Sequence, residues 1–140
     1  MPRLLNSKRF GRAVLIPVCI WVIGSTGCGV FQRFDEEWAI GAMIQVRKAE
    51  EAFKVANGRY GTLDELAASH LSVPSRVQYG YQFTVRATSE SYVALGVPTR
   101  SKEVSMSLYL DQSGIIRGMH KKGGEADVKD PPLKGYGDNP

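Results

Sequence analysis

No acidic residue occurs before Asp35, and the 140-residue chain has only two cysteines and two histidines. Each scarcity removes a class of chemistry. Cys19 lies inside an uncharged apolar run, where it packs as a small hydrophobe. If processing removes the chain ahead of Cys28, no second thiol is left for a disulfide or a metal. His70 and His120 stand alone, with no Cys or carboxylate at ligand spacing, so no zinc site is predicted. Gly-x-Ser-x-Gly, GxGxxG and P-loop patterns are absent, which leaves no nucleophile elbow and no phosphate cradle. Glu50-Glu51 and Asp64-Glu65 are paired acids, but adjacent helical residues point in different directions. The sequence therefore predicts no catalytic residue, no cofactor and no metal. It reads as a non-enzyme.

The formal charge of +4 has a local origin. Arg3, Lys8, Arg9 and Arg12 precede the first apolar run, and the other 14 Lys and Arg balance the 14 Asp and Glu. A neutral remainder argues against a nucleic-acid surface, and Lys121-Lys122 is too short to make one. The surplus reads instead as a targeting signal. Residues 13–31, AVLIPVCIWVIGSTGCGVF, carry no charge. Basic start, apolar centre and small-residue end thus follow in the order of a secretory signal. Ser25, Thr26 and Gly27 lead directly into Cys28, an arrangement that resembles a bacterial lipobox. There the thiol is acylated and becomes the new N-terminus, and the acyl chain anchors the protein. Ser25 stands where that motif more often has Leu. Two other readings stay open. The 19 uncharged residues are close to the length of a membrane-spanning helix, or the segment is a plain cleaved signal.

The domain division that follows is a signal or apolar segment at 1–27, a folded domain at 28–120 and a tail at 121–140. From 35 to 56 no Pro occurs, and Trp38, Ala42, Val46, Ala49, Phe53 and Ala56 recur at intervals of three and four. That spacing predicts one apolar helix face, with Asp35, Glu36 and Glu37 favoured by the dipole in the first turn. About 22 residues at 1.5 Å each make a rod of roughly 33 Å. Ile40, Met43 and Ile44 widen the apolar face of its first half, so Ile40 and Ile44 are candidate contacts for a partner. Asn57-Gly58 ends the helix with a left-handed residue, and Thr62 with Glu65 forms a capping box for a second, short helix.

Val77, Tyr79, Tyr81, Phe83 and Val85 alternate with polar residues and predict one half-buried strand, with Tyr79, Tyr81 and Phe83 on its core face. Residues 92–97 and 104–110 predict two more strands, and 115–119 a short fourth one after an Asp111–Gly114 turn. Tyr109, on the polar face of its strand, is the aromatic residue best placed for an exposed contact. Beyond Lys121 the chain is rich in Gly, Pro and charge, and a flexible tail is expected.

This order of parts resembles the type IV pilins and type II secretion pseudopilins over roughly residues 35–118. The residues that carry the resemblance are Ala49-Glu50 and Phe53, Asn57-Gly58-Arg59-Tyr60, and Thr62-Leu63-Asp64-Glu65-Leu66. Gly80-Tyr81-Gln82-Phe83, Tyr92-Val93-Ala94 and the run Leu110-Asp111-Gln112-Ser113-Gly114-Ile115-Ile116-Arg117 extend it. The resemblance implies an α+β, pilin-like fold: a long N-terminal α-helix packed on a three- to four-stranded antiparallel β-sheet. It also implies a protein of the cell envelope, working by protein–protein contact with pilus or secretion subunits and with the membrane as partner. The family's glutamate, which pairs with a neighbouring subunit's amine in the filament, falls at Ile16, and Gly61 stands where Pro is common. Some members bind calcium in an acidic loop, but the corresponding residues 98–103 hold one carboxylate and two cations.

The reading is therefore an exported domain anchored through Cys28 or its apolar segment, at the outer membrane or periplasm in preference to the inner membrane. A degenerate membrane-embedded subunit and a periplasmic ligand-binding lipoprotein are the alternatives. No nucleic acid and no small-molecule substrate is expected.

Overall fold

The computed structural model describes residues 27–136, with side chains described from Asp35 onward. The expected signal segment lies outside these residues except for Gly27. Helix α1 spans Gly27–Asn57 and α2 spans Leu63–Ala68. Five strands follow: β1 (Val77–Gln78), β2 (Tyr81–Ala87), β3 (Tyr92–Pro98), β4 (Ser107–Asp111) and β5 (Arg117–Met119). They form one antiparallel meander in the order β1-β2-β3-β4-β5, with α1 packed against it. The α+β class is as the sequence predicts. The strand count is five, not three to four, and α1 begins eight residues before Asp35.

The buried stripe of α1 is Ala39, Ala42, Met43, Val46, Ala49, Glu50 and Phe53. Small residues at 39 and 42 let the helix approach a sheet whose core face carries Tyr81, Phe83, Val85, Ala94, Leu108 and Leu110. Core side chains the size of Leu or Met are worth about 2–5 kcal/mol each against truncation to Ala. Ile40, read from the sequence as a candidate partner contact, is 5% exposed and belongs to this core. That expectation is corrected, because the sheet already occupies the face it was drawn on. Ile44 is half-buried and packs against the same cluster. Trp38, expected on the stripe, is 58% exposed, and Ala56 is exposed too.

Polar ties fix α1 along its length. The Glu36 carboxylate accepts from the Met106 N–H at 3.0 Å, Arg47 donates to the Gly114 carbonyl at 2.9 Å, and Lys54 donates to the Ser89 carbonyl at 3.2 Å. The helix ends as its sequence predicts. Gly58 adopts φ +71°, a region open to Gly at little cost, and its N–H returns to the Lys54 carbonyl at 2.8 Å. Thr62 then caps α2 with both halves of the capping box formed.

The single strand expected over 77–86 is broken. Tyr79 (φ +53°) and Gly80 (φ +73°) form a two-residue hairpin turn with both central residues left-handed, so Gln78 pairs with Tyr81. The alternation is thereby shifted, and Tyr79 leaves the face shared by Tyr81 and Phe83. Val104, expected to open a strand, lies in the turn before β4 and is 52% exposed.

The segment after His120 also differs from the flexible tail expected. Lys121 pairs with the buried Asp130 at 2.8 Å, Ala126 is buried, and the Ser107 hydroxyl donates to the Gly124 carbonyl at 2.6 Å. Arg86 of β2 meets Glu125 at 3.0 Å, so this chain crosses the sheet face turned away from α1. Farther on, the Gly118 N–H donates to the Pro131 carbonyl and the Leu133 N–H to the Ile116 carbonyl, and Leu133 packs against the core. Two features outweigh the polar composition. Pro131-Pro132 has little conformational entropy to lose, and the edge of β5 offers unpaired backbone groups.

Candidate functional site

The region with the most concentrated chemistry is the junction between α1 and the head. Glu50 lies on the buried stripe of α1 and is 0% exposed. One of its oxygens accepts from the Gly61 N–H at 2.9 Å, while the other has no partner. Burial pushes its pKa up to about 7, the Gly61 bond works against that, and the nearby Glu65 charge adds to it. Glu65 has the opposite environment. Arg59 donates to it at 2.7 Å and the Thr62 N–H at 2.8 Å, and together with the Thr62 side chain they hold its pKa down to about 2. Two carboxyl groups of one junction thus ionise in different pH ranges. Aromatic rings close the junction: Lys54 lies 4.4 Å over Tyr60, whose ring meets that of Tyr92 at 5.0 Å.

A perturbed buried carboxyl is a candidate for proton chemistry when a cleft serves it. Two clefts of about 240 Å³ flank the domain. Thr62, Asp64, Arg76 and Phe83 help line one, and Glu36, Ile40, Met106 and Leu133 the other. Glu50 lines neither, and its one hydrogen bond ties α1 to the Gly61 backbone. Both volumes fall below the roughly 300–1,000 Å³ of ordinary ligand pockets.

The second feature is an aromatic step on the surface. Trp38, in the N-terminal half of α1, stacks on Tyr79 with centroids 5.5 Å apart and planes 23° from parallel. Tyr79 is 37% exposed. Its left-handed backbone costs a bulky residue about 1–2 kcal/mol, where Asn or Gly would pay far less. The ring stack is the compensating contact.

No family model, no curated protein and no solved structure matches this chain.

The sequence-derived candidates are scattered. Cys28 lies in the first turn of α1, and its side chain is outside the described residues. Tyr109 is half-buried on the outer face of β4, and its hydroxyl donates to the Asp111 carboxylate at 3.1 Å. Burial of Asp111 opposes its ionisation, but bonds from Ser113 and Tyr109 outweigh that and hold its pKa down. Tyr109 therefore spends its polar end inside its own hairpin. Ile40 and Ile44 serve the core. Trp38 and Tyr79 were missed as a site because both were assigned to buried faces. Gly80, a left-handed turn residue directly after an aromatic, was the available signal. Among the described residues no group of three or more His, Cys, Asp or Glu could hold a metal. Among them, also, no helix is long and apolar enough to cross a membrane.

Proposed function

We propose that this chain is an exported, non-enzymatic envelope protein, tethered to a membrane and acting by protein–protein contact in or beside a type IV pilus or type II secretion system. The observation that carries the reading is the continuity of α1. It runs from Gly27, adjacent to the candidate acylation site Cys28, through the core of the head to Asn57. A tether at its start would hold a rigid domain at a set distance from the membrane. The capped junction and the meander after it follow the pilin-like order on which the sequence resemblance rests. Small clefts favour contact with a protein over capture of a ligand.

Ile16 in place of a glutamate counts against filament polymerisation by the usual amine pairing. One observation favours the membrane-embedded alternative: α1 already includes the last five residues of the uncharged run. Mass spectrometry of the protein extracted from membranes separates the two. An acylated N-terminus at Cys28 is the expected result. An unmodified N-terminus at Arg12 refutes the lipoprotein in favour of a processed pilin-type subunit.

A further inference from the structure

Trp38 and Tyr79 are large, stacked and open to solvent, yet nothing in the fold of the domain requires them to be exposed. Tyr79 reaches that position only through a left-handed backbone that disfavours a bulky side chain. The pair has a definite place along the chain. Trp38 lies seven residues past Phe31, where the uncharged run ends, and ten past Cys28, all within one helix. Seven helical residues rise about 10 Å from Phe31 and ten rise about 15 Å from Cys28, and helical side chains lean toward the N-terminus, which carries the indole back toward the uncharged run. The headgroup layer of a bilayer is roughly 5–8 Å deep on each side of its hydrocarbon. Tilt of the helix shortens the remaining gap further.

Resting on the membrane tether proposed above, we infer that the Trp38–Tyr79 step is a membrane-interface contact that seats the head against the headgroup layer. Trp and Tyr suit that layer because each has an apolar body with a polar edge. The charge around the pair selects the lipid. Asp35, Glu36 and Glu37 share its helix turn, and the Asp35 carboxylate and the Arg100 side chain lie against Gly80. Such a rim gives no attraction to an anionic surface, so the contact is with zwitterionic headgroups and depends little on salt. The step would fix the tilt of α1 and the direction in which the sheet faces away from the membrane.

The test uses the full chain carrying Trp21→Phe, which leaves Trp38 as the sole tryptophan, reconstituted with phosphatidylcholine vesicles. Flotation reports the tether, and Trp38 fluorescence reports the step. The expected result is co-flotation, loss of Trp38 emission when the lipid is brominated near the headgroup, and poor access for iodide. Tyr79→Asn, which keeps the turn, should lessen the bromolipid effect. Co-flotation with full emission and free iodide access overturns the inference while leaving the tether intact. Shielding from both quenchers that grows with the protein-to-lipid ratio places a second copy on the patch and overturns it as well. Failure to float removes the tether, and the inference with it.

Discussion

Glu50→Gln isolates the buried carboxyl at the junction, and its effect can be worked through with its sign. The folded pKa of about 7 lies about 2.5 above the ordinary carboxylate value of 4.5. At about 1.36 kcal/mol per pH unit, this amounts to about 3 kcal/mol. Because the folded value is the higher one, the contribution of Glu50 is intact below pH 4.5 and is lost as pH rises through about 7. Above pH 8 the native state carries a buried charge held by one N–H, with its second oxygen unpartnered. Gln keeps the oxygen that accepts from Gly61 and removes the charge. Its amide takes the place of the unpartnered oxygen and costs about 1 kcal/mol unsatisfied.

The net expectation is a gain of about 2 kcal/mol at pH 8.5 that shrinks to zero or reverses at pH 5. Urea denaturation of both proteins at the two pH values measures it, and the difference cancels groups common to both. Glu65 is held down to about 2, with stability lost as pH falls from 4.5 through that value, so it lies outside this window. An equal effect at both pH values would refute the reasoning. So would a loss of stability at pH 8.5, which would mean that the ionised carboxylate is held by more than the single Gly61 N–H.

Gly61→Pro removes the N–H that Glu50 accepts and places a Cβ 2.9 Å from the Phe53 ring, and it should destabilise the domain by about 2–4 kcal/mol. Gly61→Ala keeps the N–H and should cost less; if the proline variant unfolds at the same urea concentration as wild type, the Glu50–Gly61 bond carries no weight. Deleting residues 121–140 strips Ala126 and Leu133 from the sheet and the Lys121–Asp130 pair from its rim, at an expected cost of about 2–4 kcal/mol. An unchanged urea midpoint after that deletion would restore the view of the segment as a loose tail.

The parts of the fold legible in the sequence were those set by local chemistry. Gly58 ends α1 because a left-handed position needs it, and Thr62 with Glu65 caps α2 through bonds between near neighbours. The parts that were not legible depend on what covers a surface. The face of β4 that carries Tyr109 reads as a wet one, since alternation tells one side of a strand from the other and cannot say that both are covered. The chain that covers Ser107 on that face comes from the stretch that composition marked as unable to order itself. Its average polarity hid a few decisive contacts, among them Ala126, Leu133 and the ion pair to Asp130.

Two aromatic residues lie outside the faces that periodicity gives them, each for a local reason. On α1 the predicted stripe holds at Ala42, Val46, Ala49 and Phe53, but its two ends, Trp38 and Ala56, are exposed, while Ala39 and Ile40 are buried beside it. On the sheet, the Tyr79-Gly80 turn moves the tyrosine off its expected face. Both departures meet at one spot, because the residues moved outward are the two that stack on each other. Periodicity assigns every large apolar residue to a core face, so it systematically conceals an aromatic that is exposed for a reason. Glu50 is the converse case. A charged residue on an apolar stripe reads as a solvated edge, and only the Gly61 N–H opposite it turns that position into a buried link between helix and head.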